Sequence, residues 1–296
     1  MIVTELFSGL GNQMFQYAAG LSLAHKLNTE LLIDKTWFDL EFEKQTPRNY
    51  GLEPFSIHAK IATDVQVKES LRIGKSGIIE RVINKINSMR PYYKQRVYNE
   101  PYFHFDENFY KAKNNTYITG YWQSEKYFSD IREEVRNSFQ LKQAIAGFNA
   151  ELLFKMQHSM SVSLHVRRTD MVNNPEVIKT HGSCDLDYYL AAIDMITAGL
   201  TEPQIFIFSD DPQWCKENIT LDFAVTYIDH NQGDDAYLDL HLMSHCRHHI
   251  IANSSFSWWG AWLNPSEDKR VIAPKQWFAS GDRDTKDLIP SGWSRL

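Results

Sequence analysis

The sequence has few cysteines, no long apolar run and no excess of basic charge. Its three cysteines, Cys184, Cys215 and Cys246, are far apart and form no C-x-x-C pair, which predicts a reduced protein without disulfides. No stretch approaches about 18 uninterrupted apolar residues, so no membrane span is expected. The first residues lack a basic segment and an apolar segment, and no signal peptide is expected. The formal net charge of −6 argues against a general nucleic-acid-binding protein.

The 296 residues instead contain predicted strands that alternate with predicted helices. A strand at 2–7, a glycine turn, a helical pattern and a strand at 31–33 form a βαβ start. Further strands are predicted at 160–166, 205–208, 224–228, 249–252 and 270–273, with helices at 74–89, 125–136, 185–198, 234–247 and 256–263. This alternation predicts an α/β protein with parallel, doubly wound sheets.

Polar clusters follow three of the predicted strands. The segment His165-Val166-Arg167-Arg168-Thr169-Asp170 ends the first, Asp210-Asp211 follows the second, and Ser254-Ser255 follows the third. Two adjacent guanidiniums at the exit of a buried strand are costly unless an anion binds there. Ligands of parallel sheets bind beyond the carboxyl ends of the strands, so a diphosphate site is predicted. Simple helix capping is the alternative for the aspartates and serines.

The turn Gly9-Leu10-Gly11-Asn12 resembles an incomplete dinucleotide fingerprint. Met14 occupies the place of its third glycine, and Asp34 lies near the position of a ribose-binding acid. A nucleotide-dependent oxidoreductase or epimerase is therefore one alternative function. A non-catalytic glycan-binding protein is another, because 13% of the residues are aromatic.

No metal site is predicted. His241 and His245 have the i, i+4 spacing of zinc ligands, but no third ligand with a recognisable spacing accompanies them. The acidic pairs at 185/187 and 282/284 fit a helix start and a polar loop better than a cation site.

Four motifs in order resemble those of bacterial α-1,2-fucosyltransferases of glycosyltransferase family 11. They begin at Gly9, His165, Ser209 and Ser254, and the resemblance runs from residue 9 to about 275. It implies a GT-B fold, with two Rossmann-like doubly wound domains facing a cleft. Residues 1–155 would bind the acceptor and residues 156–296 GDP-fucose. The implied reaction is inverting transfer of L-fucose to O2 of a galactose, without metal or other cofactor.

The resemblance also implies roles for single residues. Arg167 would contact the β-phosphate, His165 and Asp211 the guanosine, and Ser254 or Ser255 a phosphate. The other donor-binding candidates are Gly9, Gly11, Asn12, Arg168, Asp210 and Phe256. The catalytic base does not carry over from the α-1,6 relatives, because Glu176 is out of register with their glutamate. Asp170 and Glu176 are the candidates for it.

The expected partners are GDP-fucose and a galactose-containing glycan, without nucleic acid. The resemblance implies a cytoplasmic enzyme of surface-polysaccharide synthesis, with a peripheral contact at the inner face of the plasma membrane. A basic cluster fits either an anionic membrane surface or a solvated helix face. The cluster comprises Arg81, Lys85, Arg90, Lys94 and Arg96.

Overall fold

The computed structural model describes residues 1–40, 48–72, 78–168 and 175–296, and only the backbone of 78–82 and 175–177. The chain forms two compact units, Met1–Lys142 with Asp284–Leu288, and Gln143–Arg283 with Ile289–Leu296. The predicted domain boundary at 155/156 falls inside a helix of the second unit, Gly147–Gln157. Each unit also contains part of the C-terminal segment, a division that composition and periodicity did not indicate.

The first unit is built on a five-stranded sheet in the order β3-β2-β1-β5-β4, with every pairing parallel. Its strands are β1 Ile2–Glu5, β2 Leu31–Asp34, β3 Lys60–Ile61, β4 Val97–Asn99 and β5 Thr116–Thr119. Its helices are α1 Leu10–Lys26, α2 Asp64–Leu71, α3 Ile78–Ser88 and α4 Arg132–Ser138. Strand order reverses between β1 and β5, so the carboxyl ends of these two strands form a topological switch point.

The continuous helix predicted at 125–136 is wrong. The structure has two 3-10 turns, Glu125–Tyr127 and Ser129–Ile131, before α4 begins. Phe128 between them adopts an extended φ of −144°, which no helix accommodates. Tyr127, Phe128 and Ile131 are all buried, so packing of these side chains overrides the helical pattern of the sequence.

The second unit has a six-stranded sheet in the order β11-β10-β9-β6-β7-β8, again parallel throughout. Its strands are β6 Met160–Val166, β7 Pro203–Ser209, β8 Ala224–Ile228, β9 His248–Ile250, β10 Val271–Ala273 and β11 Ser294–Arg295. Its helices are α5 Gly147–Gln157, α6 Pro175–His181, α7 Leu186–Thr197, α8 Pro212–Asn218, α9 Ala236–Ser244 and α10 Ser255–Leu263. The predicted parallel, doubly wound architecture is confirmed.

Helices cover both faces of this second sheet. On one face, Val162 and Leu164 of β6 belong to an apolar cluster with Ile193 of α7. On the other, Phe206 and Phe208 of β7 cluster with side chains of α5 and α9. Successive strand residues point to opposite faces, so a strand covered on both sides reads as a continuous apolar run. This burial fixes the register of the strands and so the positions of their ends.

All three cysteines are buried, reduced and located in the second unit. Burial raises the pKa of the Cys184 and Cys215 thiols to about 11 and raises the pKa of Cys246 as well. Within the described ranges, no helix is long and apolar enough to cross a bilayer.

Candidate functional site

Three predicted clusters converge at one edge of the second sheet. Val166, the last residue of β6, pairs with Ser209, the last residue of β7. Leu164 of β6 pairs with Ile250, the last residue of β9. The segments that follow these strands therefore leave the sheet side by side, as the sequence predicted.

Arg167 reaches the start of helix α10. Its Nη1 donates a hydrogen bond to Oγ of Ser254 at 3.3 Å. Ser254 is the N-cap residue of α10, but its side chain does not cap the helix. The first N–H groups of any helix lack intrahelical acceptors and carry partial positive charge. A guanidinium, a hydroxyl and helix N–H groups are all donors that bind anions, so these groups together suit a phosphate.

The loop that carries Ser254 is held firmly. The side-chain amide of the preceding residue, Asn253, donates to the carbonyl oxygens of His181, Gly182 and Trp277. Ser254 itself is only 2% exposed, and its amide donates to the carbonyl of Ala252. The hydroxyl is thus fixed before any ligand arrives, which lowers the entropy cost of binding.

His165 is buried and neutral. Burial, together with the charge of Arg167, lowers its pKa from 6.5 to about 3. Its ring lies 5.6 Å from that of Phe256, and within the described part of the chain its Nδ1 has no hydrogen-bond partner. An unsatisfied buried nitrogen costs about 1–3 kcal/mol, so this atom is suited to a ligand group.

Arg168 is held between the ends of β6 and β7. Its backbone amide donates to Oδ1 of Asp210 at 2.8 Å. Its guanidinium carbon lies 3.9 Å from the centroid of the Trp214 ring, and its Nε lies 3.5 Å from Oδ2 of Asp211. Oδ1 of Asp211 caps α8 by accepting from the Trp214 amide. The capping alternative thus holds for Asp211 and not for Asp210. A contact between Asp211 and guanosine stays a prediction.

The glycine turn begins α1 in the first unit. Gly9 has a φ of −75°, and a Cβ added to it would meet no atom of the described chain within 4 Å. Neither conformation nor packing therefore requires glycine there, whereas close approach of a ligand would. Asn12 donates to Oγ of Ser8 and accepts from the amide of Gln123 at 2.7 Å. Gly11 lies buried in the first turn of α1.

Asp34 does not fit the ribose-binding role of the oxidoreductase alternative. It is 1% exposed, and its two carboxylate oxygens accept from the Tyr117 hydroxyl and the Thr36 amide. A nucleotide would have to displace both partners. The acid that follows the incomplete glycine fingerprint is thus already hydrogen-bonded within the protein, which argues against a dinucleotide site.

Two predicted candidates for the base lie outside the described side chains. Asp170 falls in the segment that the structure leaves out, and Glu176 lies in α6 where only the backbone is described. Ser255 and Phe256 occupy the first turn of α10, next to the group that Arg167 contacts.

His241 of α9 and His245, which follows the helix, do not form a metal centre in the described residues. The rings of His241 and His245 lie 4.4 Å apart, but Nδ1 of His245 is directed at the carbonyl oxygen of His241. In the same part of the chain, no three His, Cys, Asp or Glu side chains cluster in a way that could hold a metal ion.

Trp214 is a site residue that sequence reasoning missed. Its ring is brought to Arg168 by tertiary folding rather than by a motif. The signal available was its position, three residues after Asp211 and on the predicted ligand edge of the sheet.

Comparison with known proteins agrees with the motifs. The chain is 34% identical to an α-1,2-colitosyltransferase of Escherichia coli, which covers 100% of this chain and 99% of the relative. It is 32% identical to the O-antigen biosynthesis glycosyltransferase WbnK of E. coli, over 98% of this chain and 99% of the relative. It is 26% identical to the mouse galactoside 2-α-L-fucosyltransferase Sec1, over 89% of this chain and 64% of the relative.

Solved structures support the fold. The α-1,6-fucosyltransferase NodZ, soaked with GDP-fucose, superposes with a TM-score of 0.54 at 17% identity and covers 93% of this chain and 94% of its own. This likeness, with the two parallel sheets, identifies a GT-B type fold of two Rossmann-like units. The model of glycosyl transferase family 11 matches residues 1–296, and the chain therefore belongs to that family.

Proposed function

We propose that this glycosyltransferase transfers L-fucose from GDP-β-L-fucose to O2 of a terminal galactose and forms an α-1,2 linkage. The observation that carries the proposal is the contact between Arg167 and Ser254 at the N-terminus of α10. It gathers a guanidinium, a hydroxyl and helix N–H groups at one point, which suits the diphosphate of a nucleotide sugar. The α-1,2 fucosyl and colitosyl activities named for the relatives support the linkage.

The proposed reaction is a single displacement. The acceptor hydroxyl attacks the anomeric carbon while the bond from that carbon to the β-phosphate oxygen breaks, which inverts the β donor into an α product. The acceptor proton passes to a base, for which Asp170 and Glu176 remain the candidates. Arg167 stabilises the negative charge that develops on the departing GDP. Because a fixed guanidinium supplies this charge, the reaction needs no metal ion.

The guanosine half of the donor would lie against His165 and Phe256. The neutral imidazole of His165 offers its unsatisfied Nδ1 to a polar group of the nucleoside. The Arg168–Trp214 stack would keep the neighbouring aspartates in place. A role of Gly9, Gly11 and Asn12 in donor binding stays a prediction.

GDP-colitose is the second candidate donor. The identity of 34% to an α-1,2-colitosyltransferase, against 26% to a mouse galactoside fucosyltransferase, favours it specifically. Colitose is the 3-deoxy analogue of fucose, so both donors present the same diphosphate and differ in one hydroxyl. Parallel rate measurements with the two donors at equal concentration decide between them.

Peripheral contact with an anionic lipid surface is also proposed, through helix α3. Ile86 and Met89 are 50% and 78% exposed, and Ile83 is also exposed. Residues 73–99 carry six basic side chains and one acidic side chain in a chain of net charge −6. An apolar stripe flanked by basic residues is typical of interfacial helices. Arg96 does not contribute, because it donates to the carbonyl oxygens of Glu69 and Ser70.

The test combines product analysis with nucleotide binding. Purified protein, GDP-fucose and a β-galactoside in excess EDTA should yield an α-1,2-fucosylated product, identified by NMR. Calorimetry with GDP alone should report binding without added metal. Loss of activity in EDTA that magnesium or manganese restores would contradict metal-independent transfer. Absence of both product and GDP binding would contradict the function itself.

A further inference from the structure

The switch point of the first sheet carries two loops that are bound to each other. One follows β1 and contains Phe7, Ser8 and Gly9, and the other follows β5 and contains Tyr121 and Gln123. Gln123 donates to Oδ1 of Asn12 at 2.7 Å, and Nδ2 of Asn12 donates to Oγ of Ser8 at 2.9 Å. The rings of Phe7 and Tyr121 meet edge to face with centroids 5.1 Å apart. Parallel sheets bind ligands at such a point.

Each loop contains a strained residue. Ser8 has a φ of +67° and Trp122 a φ of +54°, both in the left-handed region. A bulky residue such as Trp rarely adopts this conformation, which costs on the order of 1–3 kcal/mol. Strain of this kind persists where the surroundings enforce it, and it clusters at ligand sites.

The surroundings of Trp122 enforce its conformation. Its side chain is fully buried against the rings of Tyr98, Phe109 and Tyr127. The Glu100 carboxylate accepts from the amides of Tyr121 and Trp122 at 2.7 and 2.9 Å. The loop is therefore rigid, and its buried Trp122 keeps the half-buried Tyr121 at the carboxyl edge of the sheet.

Gly120 makes the turn possible. Its φ is +151°, and a Cβ on it would lie 2.3 Å from Cβ of Glu100. Only glycine lets the backbone pass so close to the glutamate that fixes the next two amides. Gly120, the strained Trp122 and the carboxylate of Glu100 thus together fix the position of the Tyr121 ring.

We infer that Tyr121, braced by Phe7, is the platform on which the acceptor galactose stacks. The axial O4 of galactose leaves C3–H, C4–H and C5–H on one face as an apolar patch that packs against an aromatic ring. The hydroxyl of Ser8, the residue after Phe7, accepts from Asn12 and can itself donate to a sugar hydroxyl. This inference rests on the proposed function and adds to it the residues that recognise the acceptor.

The test compares Tyr121→Ala and Tyr121→Phe with Tyr102→Ala, which removes an exposed tyrosine elsewhere in the same unit. Losing about 50 Å² of apolar contact predicts a rise of about tenfold in the KM for a β-galactoside in Tyr121→Ala. Tyr121→Phe and Tyr102→Ala should stay near wild type. The KM for GDP-fucose and the slow hydrolysis of GDP-fucose without acceptor should not change.

A second readout separates binding from a structural role. In glucose, the 4-epimer of galactose, C4–H lies on the opposite face and the apolar patch is smaller, so the preference for a β-galactoside over the matching β-glucoside should fall in Tyr121→Ala. An unchanged acceptor KM and preference, or a change in the KM for GDP-fucose alone, would overturn the inference. If wild type neither transfers fucose nor binds GDP, the proposed function fails instead. Should Tyr121→Ala unfold, Tyr121→Leu gives the same test with a bulkier side chain.

Discussion

The guanidinium of Arg168 lies on the indole of Trp214, with its central carbon 3.9 Å from the ring centroid. The stack holds the end of β6 against the start of α8, where Asp211 caps the helix. Arg168 therefore positions the edge of the sheet that we propose to bind phosphate, whereas Arg167 contacts the N-cap residue of α10.

Replacing the stacking ring tests this relationship. We expect Trp214→Leu to lower kcat/KM for GDP-fucose about 2- to 30-fold, which corresponds to the 0.5–2 kcal/mol of a cation–π contact, with Trp214→Phe in between. Steady-state kinetics and calorimetry with GDP measure the effect. Phe223→Leu removes a partly exposed ring of the same unit and serves as the control. A Leu variant with wild-type kinetics would show that the stack has no role.

Arg167 should contribute more than its neighbour. We expect Arg167→Ala to lose about 2–4 kcal/mol of transition-state stabilisation, by analogy with removal of one preorganised donor. Arg167→Lys should recover part of the loss, because an ammonium keeps the charge without the planar fork. The exposed Arg247, which donates to the Ser159 carbonyl, gives the control Arg247→Ala. Near-normal turnover of GDP-fucose in Arg167→Ala would remove it from the reaction.

The neutral state of His165 predicts how stability varies with pH. Its pKa is lowered from 6.5 to about 3 in the fold, so the unfolded chain takes up a proton that the folded chain excludes. This contribution to the free energy of unfolding is fully present above pH 6.5 and is lost as pH falls toward 3. At pH 5 the loss is about 2 kcal/mol.

Comparison with His165→Asn isolates this contribution, because other groups titrate too. Burial raises the pKa of Asp239 to about 7, so the contribution of that carboxyl to the free energy of unfolding increases as pH falls. Urea unfolding at pH 7.5 and pH 5 should give a smaller decrease for His165→Asn than for wild type. Equal decreases in the two proteins would mean that His165 accepts a proton in the fold.

Helix α3 predicts binding to anionic vesicles. The double variant Ile86→Asp, Met89→Asp should lose cosedimentation with vesicles containing phosphatidylglycerol, because it adds acids to the apolar stripe. Val65 on α2 is 65% exposed in the same unit, and Val65→Asp is the matched control. Wild-type protein that binds neutral and anionic vesicles equally, or neither, would contradict the charge argument.

The central strands of the second sheet were predictable because burial on both faces leaves continuous apolar runs, whereas the exposed two-residue β11 was not predicted. The prediction for β6 matches the observed 160–166, and the polar residues that end β6 and β7 meet as expected. The strands of the first sheet were harder to predict from the sequence. Its β3 and β4 are only two and three residues long and carry no measurable period. The segment at 125–136 misled because apolar anchors in 3-10 turns mimic helical spacing.

Some residues of the candidate site could likewise be predicted from the sequence and others could not. Arg167, Ser254 and His165 were found because they sit in motifs directly after strands. Trp214 and the Gly120–Gln123 loop were not assigned a role, since a stacking partner and a backbone strain arise only when distant segments fold together. The glycine turn was found, but Asn12 and Gln123, which link it to the other loop, are 111 positions apart in the sequence.

The three buried thiols have a practical consequence. Each has a raised pKa and lies in the second unit, so a thiol-specific reagent at neutral pH reacts with them only after that unit opens. The labelling rate of the natural protein therefore records the opening of one half of the molecule without any introduced probe. Slower labelling in the presence of GDP would record, on the same three sulfur atoms, how strongly the nucleotide holds that half closed.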